Sequence, residues 1–277
     1  MTRAMTFMLT WKYLLFFALA VAGLLLLARS RKMRRPRLAL QAVAFVLFGG
    51  VLALVLPWAE RALGLHPSPV CAVAKGTAAA IQRGFVPPPQ LAMVLFAVAL
   101  TLVGGKAFCG WACPLGALQE LVGRIPGLKR FRLPFALTNT VRVTAFGVFL
   151  ALLLTSGVIA YDWFNPFEAL HWTDLGHVAV WLPLAVVLAA SLFVYRPFCA
   201  FLCPLGLLTW VVEQASPGRV RVTSDCDGCN ACLKKTDCQA LPAIVAGRRL
   251  TPDCHGCGDC LGTCKRGFLS FGWRAPV

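Results

Sequence analysis

Residues 226–264 read CDGCNACLKKTDCQALPAIVAGRRLTPDCHGCGDCLGTC and hold eight of the thirteen cysteines in a chain of 277 residues. They form two groups. Cys226, Cys229 and Cys232 stand at C-x2-C-x2-C spacing, followed by five intervening residues and then Cys238; Cys254, Cys257 and Cys260 repeat the spacing, followed by three intervening residues and then Cys264. Three thiolates so spaced wrap one corner of a cubane, and in two-cluster ferredoxins the fourth ligand comes from the other group. One [4Fe–4S] cluster is therefore assigned to Cys226, Cys229, Cys232 and Cys264, and a second to Cys254, Cys257, Cys260 and Cys238. Structural zinc takes two well-separated C-x2-C pairs and fits a third cysteine at the same interval poorly. Disulfides would require an oxidising compartment.

Composition sets the surroundings of this tail. The chain is 58% hydrophobic, with a mean hydropathy of +0.73, which is the composition of an integral membrane protein. Lys and Arg outnumber Asp and Glu by 27 to 11, a formal net charge of +16. Such an excess can mark nucleic-acid binding, but here the cations cluster beside apolar runs, where they fix topology; no nucleic-acid partner is expected. Lys234, Lys235, Lys265 and Arg266 lie among the tail cysteines, where positive charge favours a reduced cluster and suits an acidic partner.

Five apolar runs are each long enough to cross a bilayer core: about 11–28, 38–57, 90–108, 140–160 and 178–195. The first resembles a signal peptide but lacks a small-x-small cleavage pattern and is followed by the strongest basic run (Arg29, Arg31, Lys32, Arg34, Arg35, Arg37). Positive-inside ordering then puts the N-terminus outside and the basic segments, including the cysteine tail, in the cytoplasm. Residues 58–89, with His66, Cys71 and Lys75, read as a polar outer loop. Residues 161–177 read as a second outer loop, with Asp162, Glu168 and Asp174 and no Lys or Arg.

The third and fifth runs end alike. Residues 108–118 are FCGWACPLGAL and residues 198–208 are FCAFLCPLGLL, identical at seven of eleven positions. Parallel repeats of this kind imply a four-helix core with a pseudo-twofold axis along the membrane normal, with the first helix peripheral. In each C-x3-C-P unit the cysteines are four apart, on one face of a helix, and the proline kinks that helix or starts a new one. Symmetry brings Cys109, Cys113, Cys199 and Cys203 to the cytoplasmic end of the bundle. Four such thiolates suit copper(I), zinc or iron–sulfur, or pair as redox-active dithiols; the plainer alternative is small residues that let helices pack closely. Cys71 has no mate in the sequence and reads as a buried thiol, a metal ligand or an interchain partner.

The expected fold is thus an α-helical integral membrane protein of about five spans with a C-terminal α+β, bacterial-type two-[4Fe–4S] ferredoxin domain. Residues 1–37 form an N-terminal helix and basic segment, 38–215 the duplicated bundle, and 216–277 the ferredoxin-like domain. The expected location is the bacterial inner membrane.

Two C-x3-C-P units followed by a two-cluster tail resemble the NapH/NosR/MauN family of membrane ferredoxin-type proteins, over residues 38–272. The segment Asp162-Trp163-Phe164-Asn165-Pro166 is similar to the W-x-N-P stretch of NapH-type proteins. The resemblance implies a membrane component that takes electrons from quinol or passes them to a partner redox subunit, as a quinol dehydrogenase component does. Some relatives look instead like copper-handling or cofactor-maturation proteins. The chain departs from the family pattern in its additional first span and in lacking a large outer flavin-binding domain. It departs also in the five-residue spacing before Cys238 and in the absence of proline after Cys238 and Cys264.

Quinone chemistry needs a lipid-accessible pocket and a proton acceptor. His66, Asp162, Glu168 and His171 are the outer candidates, with Trp163 and Trp172 to stack on a ring; interfacial aromatic belts account for such tryptophans equally well. None of the four histidines (His66, His171, His177, His255) lies in an apolar run, so this chain carries no pair of transmembrane haems. An outer quinone site would lie ~30 Å from cytoplasmic clusters, one bilayer core away. Such a gap calls for a partner subunit or for a quinone site near the inner cysteine quartet.

Overall fold

The computed structural model describes residues 11–29, 34–48, 68–125, 131, 133–171, 178–223, 226–236, 238–248, 252–264 and 266–273. His66, Trp172 and Lys265 lie outside the described residues, as do parts of the basic runs. The elements are α1 (Trp11–Arg29), α2 (Arg34–Phe48), α3 (Pro69–Arg83), α4 (Pro88–Gly104), α5 (Pro114–Gly123), α6 (Phe135–Ser156), α7 (Val178–Ser191), α8 (Pro197–Phe201) and α9 (Pro204–Glu213). They continue as β1 (Arg219–Val222), α10 (Leu241–Val245) and β2 (Leu269–Gly272).

Proline and glycine punctuate the helices. Pro69, Pro88, Pro114, Pro197 and Pro204 each open a helix, where a missing N–H costs nothing. Ser68 caps α3, its Oγ accepting from the Cys71 N–H at 3.1 Å. Gly84 and Gly157 close α3 and α6 in the left-handed conformation.

The bundle is inside out relative to a soluble protein. Leu95, Val103, Leu137, Val148, Leu154 and Leu182 face outward, while Arg37, Lys106, Arg142 and Arg196 are buried. Among the described residues α6 alone is long and apolar enough to cross a membrane by itself; α1, α2, α4, α7 and α9 are apolar but shorter within the described residues. Packing pairs the two halves crosswise. α4 lies against α9 and α7 against α5, while α2 packs on α5 and α6 on α9. Phe16, Phe48, Phe96 and Phe108 form an aromatic cluster in the centre, with ring centroids 3.8 Å apart for Phe16–Phe48 and 5.3 Å for Phe16–Phe108.

Three sequence expectations need correction. Residues 69–83 are no polar loop: they form α3, which packs on α4 with Val70, Cys71, Ala74 and Ala78 buried. Its alanine-rich composition supplies a helix thin enough to pack closely. The second outer segment also turns inward, so that Tyr161, Asn165 and Phe167 are buried. And α1 is not peripheral. Gly23 leaves the space filled by Trp111, since a Cβ there would meet that indole at 2.4 Å, and Leu24 and Leu27 join the core of the ferredoxin domain.

That domain is held by a two-stranded antiparallel sheet, Arg219↔Gly272 through Val222↔Leu269. Val220, Leu269 and Phe271 face its core with Leu241 and Leu261, the alternation expected of a strand with one buried side. The pairing continues to Thr223, whose N–H donates to Phe268 O at 2.9 Å. The chain just after Cys264 is thereby drawn back beside Cys226.

Candidate functional site

The two ligand loops of the tail share one backbone design. Gly228 and Gly256 have φ of 66° and 56°, and the residues two further on, Asn230 and Gly258, have φ of 54° and 73°. Left-handed residues at these places reverse the chain tightly and turn N–H groups inward. Glycine adopts the conformation freely, and asparagine tolerates it.

The sulfurs segregate into two sets. Cys232 lies within electrostatic reach of Cys264 and Cys226. Cys254 is in reach of Cys238 and Cys260, and Cys238 is in reach of Cys257. Burial pushes the Cys238 thiol up to about 12, and Cys257 adds to this. Burial likewise raises Cys254 well above its ordinary value, with Glu213 adding to it. Cys264 moves the other way: burial raises it, but the N–H groups of Phe268, Arg266, Gly267 and Leu269 together outweigh that and hold its thiol below the ordinary value. Backbone N–H groups also face Cys238 from Ala240 and Leu241. A soft thiolate set with N–H donors aimed at sulfur fits an iron–sulfur cluster, which needs its ligands ionised and their charge spread.

The C-x3-C-P units are not regular helix. Phe108–Ala112 is a π-helical turn, closed by the Cys113 N–H donating to Phe108 O at 2.9 Å; the Cys203 N–H donates to Phe198 O at 3.0 Å in the same i to i+5 pattern. The second cysteine is extended in both units, with φ, ψ of −70°, 117° and −68°, 113°, and each caps the helix begun by its proline. Of the two alternatives for the proline, a new helix is the one realised: Pro114 and Pro204 cannot continue the ladder, so the turn before each widens. The four sulfurs still converge. Cys109, Cys113, Cys199 and Cys203 line one cavity of about 20 Å³, with Phe108, Phe198, Leu115 and Leu205 from matching places in the repeats. Gly206 N–H donates to Cys203 Sγ at 3.3 Å, and Gln119 Nε2 to Cys199 Sγ at 3.5 Å. Among the described residues no three His, Cys, Asp or Glu side chains form a set that would hold a single metal ion.

Cations cap the carbonyls of both units. Arg196 Nη1 donates to Cys109 O at 2.6 Å, Arg142 Nη1 to Cys199 O at 3.3 Å, and Lys106 Nζ to Gly206 O at 3.0 Å. Two of these cations and two further arginines clamp the tail. Lys106 and Arg142 grip Asp253, and Arg37 and Arg124 grip Asp259, so both sides of the second ligand loop are anchored to the bundle. Burial alone would raise Asp253; Lys106 and Arg142 overcome it and hold the carboxyl low. Trp111 Nε1 donates to Gly256 O at 2.8 Å. Gly110, between Cys109 and Cys113, lies so close beneath His255 that a Cβ would meet His255 O at 2.1 Å. His255 lines the quartet cavity, and burial, then Arg196 and Lys106, keep its imidazole neutral.

The other wall of that cavity comes from the segments read as outer loops. Pro69 and Phe167 line it, and Tyr161 OH donates to Leu202 O, between Cys199 and Cys203, at 3.0 Å. Of the quinone candidates, Asp162 pairs with Lys75 at 3.4 Å and Trp163 is 72% exposed. Glu168 accepts from Asn165 at 2.8 Å, and His171 ends a 3-10 turn. Lys106, Arg142, Arg196, Tyr161 and His255 were not singled out from sequence. Lys106 and Arg196 were within reach of it, since each stands three residues before the first cysteine of its repeat.

Paired cysteine loops with inward N–H groups define an iron–sulfur protein of ferredoxin type. The chain is similar to the ferredoxin-type proteins represented by NapH, NosR and MauN. Residues 86–134 and 177–223 each match the family described as 4Fe-4S binding domain, and these stretches contain the four quartet cysteines and none of the tail cysteines. YccM of Escherichia coli K12 is 33% identical over 171 residues, 54% of this chain and 47% of its own. The methylamine utilization ferredoxin-type protein MauN of Methylobacillus flagellatus is 30% identical over 141 residues, 48% of each chain. The ferredoxin-type protein NapH of Haemophilus influenzae is 30% identical over 138 residues, 47% of each. The chain thus spans about half the length of these relatives. No solved structure matches it.

Proposed function

We propose that the chain is an integral membrane iron–sulfur protein that moves electrons between the quinone pool and a redox partner. Cys226, Cys229, Cys232 and Cys264 would hold one [4Fe–4S] cluster, and Cys254, Cys257, Cys260 and Cys238 another. Cys109, Cys113, Cys199 and Cys203 would hold a third redox centre. When bound, such groups supply one-electron storage. The protein's own part is to fix the thiolates, exclude water and set the charge around them.

The observation that carries this reading is the double wall of the quartet cavity. Phe167 and Pro69 close it from the side of Asp162 and Trp163, and His255 closes it from the ferredoxin loop. A centre at the quartet, walled from both of these segments, would shorten the ~30 Å gap that an outer quinone site otherwise leaves. The crosswise packing of α4 on α9 and α7 on α5 supports a pseudo-twofold core. Outward apolar faces on α4, α6 and α7 support several spans in a bilayer. The proposed location is a bacterial inner membrane, N-terminus outside and tail in the cytoplasm, as the positive-inside ordering of the basic segments leads one to expect.

Anaerobic purification with iron quantification and EPR tests the reading. Two tail cubanes require about eight iron atoms per chain, and a quartet centre adds a clear excess that Cys109→Ser with Cys199→Ser removes. Reduced quinol should bleach the cluster absorbance. The alternative is a copper reductase or maturation factor working through the quartet. It predicts bound copper that the same substitutions abolish, with iron unchanged.

A further inference from the structure

The two cysteine sets of the tail do not meet the same surroundings. The Cys254–Cys260 loop is pressed on the bundle by Asp253, Asp259, Gly256 and His255, and within it Gly256, Gly258 and Cys260 are buried. The Cys226–Cys232 loop touches nothing comparable: Asp227, Gly228, Cys229, Asn230 and Ala231 are all exposed. Lys234 and Lys235 beside it are exposed and form no ion pair among the described residues, while Arg266 is matched by Asp227. Counted over residues 226–238 and 264–266, four Lys and Arg (Lys234, Lys235, Lys265, Arg266) face two Asp (Asp227, Asp237).

We infer that the Cys254/Cys257/Cys260/Cys238 set is the inner site, in contact with the quartet through His255 and Gly110, and that the Cys226/Cys229/Cys232/Cys264 set is the outward face, at which an acidic redox protein docks. This rests on the two-cluster reading above. A partner can approach the first set directly, whereas the bundle shields the second. Exposed lysines beside an exposed ligand loop steer a negatively charged surface toward that loop.

The experiment is EPR power saturation of the reduced protein in detergent, with tris(oxalato)chromate(III) as an anionic relaxant and hexaamminechromium(III) as a cationic one. Cys229→Ser and Cys257→Ser assign the signals; where either variant loses its cluster, the signal that survives makes the assignment. The outward signal should relax several-fold faster with the anionic complex, the inner signal should hardly respond, and K234E/K235E should abolish the preference for the anion without changing iron content. Equal enhancement of both signals, or a preference for the cationic complex at the outward one, overturns the inference. Failure to find two distinct cluster signals before any relaxant is added overturns the reading beneath it as well.

Discussion

Lys106 and Arg196 occupy the same place in the two repeats, and each reaches across to cap the backbone of the other. Lys106 Nζ donates to Gly206 O at 3.0 Å, and Arg196 Nη1 to Cys109 O at 2.6 Å. Both are fully buried. The carbonyls beside the quartet thiols thus face fixed positive charge from the opposite half, and each half is incomplete without the other. A buried cation is costly unless it is paired and hydrogen-bonded. Here Asp253 pairs with Lys106, and Glu120 with Arg196 at 2.7 Å.

Arg196→Gln should therefore be among the most damaging single changes. Arg196 has φ 49°, a left-handed conformation that a non-glycine residue holds only when its surroundings insist. The substitution removes its bonds to Cys109 O, Gly110 O and Glu120 together. A loss of about 3 kcal/mol is expected, the scale for breaking a buried ion pair. Thermal melts in detergent read it, and Arg196→Lys should recover only part of the stability, because an ammonium cannot make the forked contact.

Gly110→Ala tests how closely the ferredoxin loop sits on the bundle. The new methyl group would meet His255 O at 2.1 Å, and that oxygen belongs to a backbone clamped on both sides. The expected result is a displaced tail over an intact bundle. Hydrogen exchange should rise across 252–264 and stay unchanged in α4 and α6. Unchanged protection of 252–264 would show that the loop does not rest on Gly110.

Much of this was legible in the residues, and what was not follows one pattern. The ligand loops announce themselves through cysteine spacing, and the repeat through FC-x3-CPLG, because metal ligation and a helix-starting proline constrain residue type locally. The inward folding of 69–83 and 161–171 left no comparable trace. Nothing local distinguishes Pro69 or Phe167 as cavity walls, since their role depends on which elements meet there. The role of individual charges was hidden for a similar reason. Arg37, Lys106, Arg142 and Arg196 count toward the basic excess, yet each is spent inside the molecule on Glu120, Asp253 or Asp259.

Glu120 should give the bundle a defined acid limit. Burial alone would raise its carboxyl, but Arg196, Arg37 and Arg124 prevail and hold it well below the usual carboxylate range. In the unfolded chain it titrates near ~4.3. Between the folded and unfolded values the unfolded chain binds the extra proton, so stability falls as pH drops through that window. Read as melting temperature, Glu120's own contribution should stay level from neutral pH to about pH 5 and be lost below about pH 4, whereas a decline between about pH 6.5 and about pH 5 belongs to His255, which the fold keeps neutral. Glu120→Gln should be less stable at pH 7, with three cations left around a neutral amide, and its decline in acid should be shallower. A variant with the same acid slope as the parent would show that other carboxylates govern the transition.

Tyr161→Phe separates the two walls of the quartet cavity. The hydroxyl donates to Leu202 O, inside the Cys199–Cys203 turn, and is the described hydrogen bond from the 161–171 segment to that unit. Its removal leaves the ring packed on Phe149, at 5.0 Å between centroids, so the fold should lose only about 1 kcal/mol. The turn itself, freed at one carbonyl, should shift the spectrum and potential of whatever the quartet binds. The tail signals should stay as they were, because Asp253, Asp259 and Trp111 hold the ligand loop independently of Tyr161. EPR-monitored redox titration of the variant beside its parent makes the comparison. A change confined to the tail signals, or none at the quartet, would mean that the 161–171 segment has no influence on the centre it helps enclose.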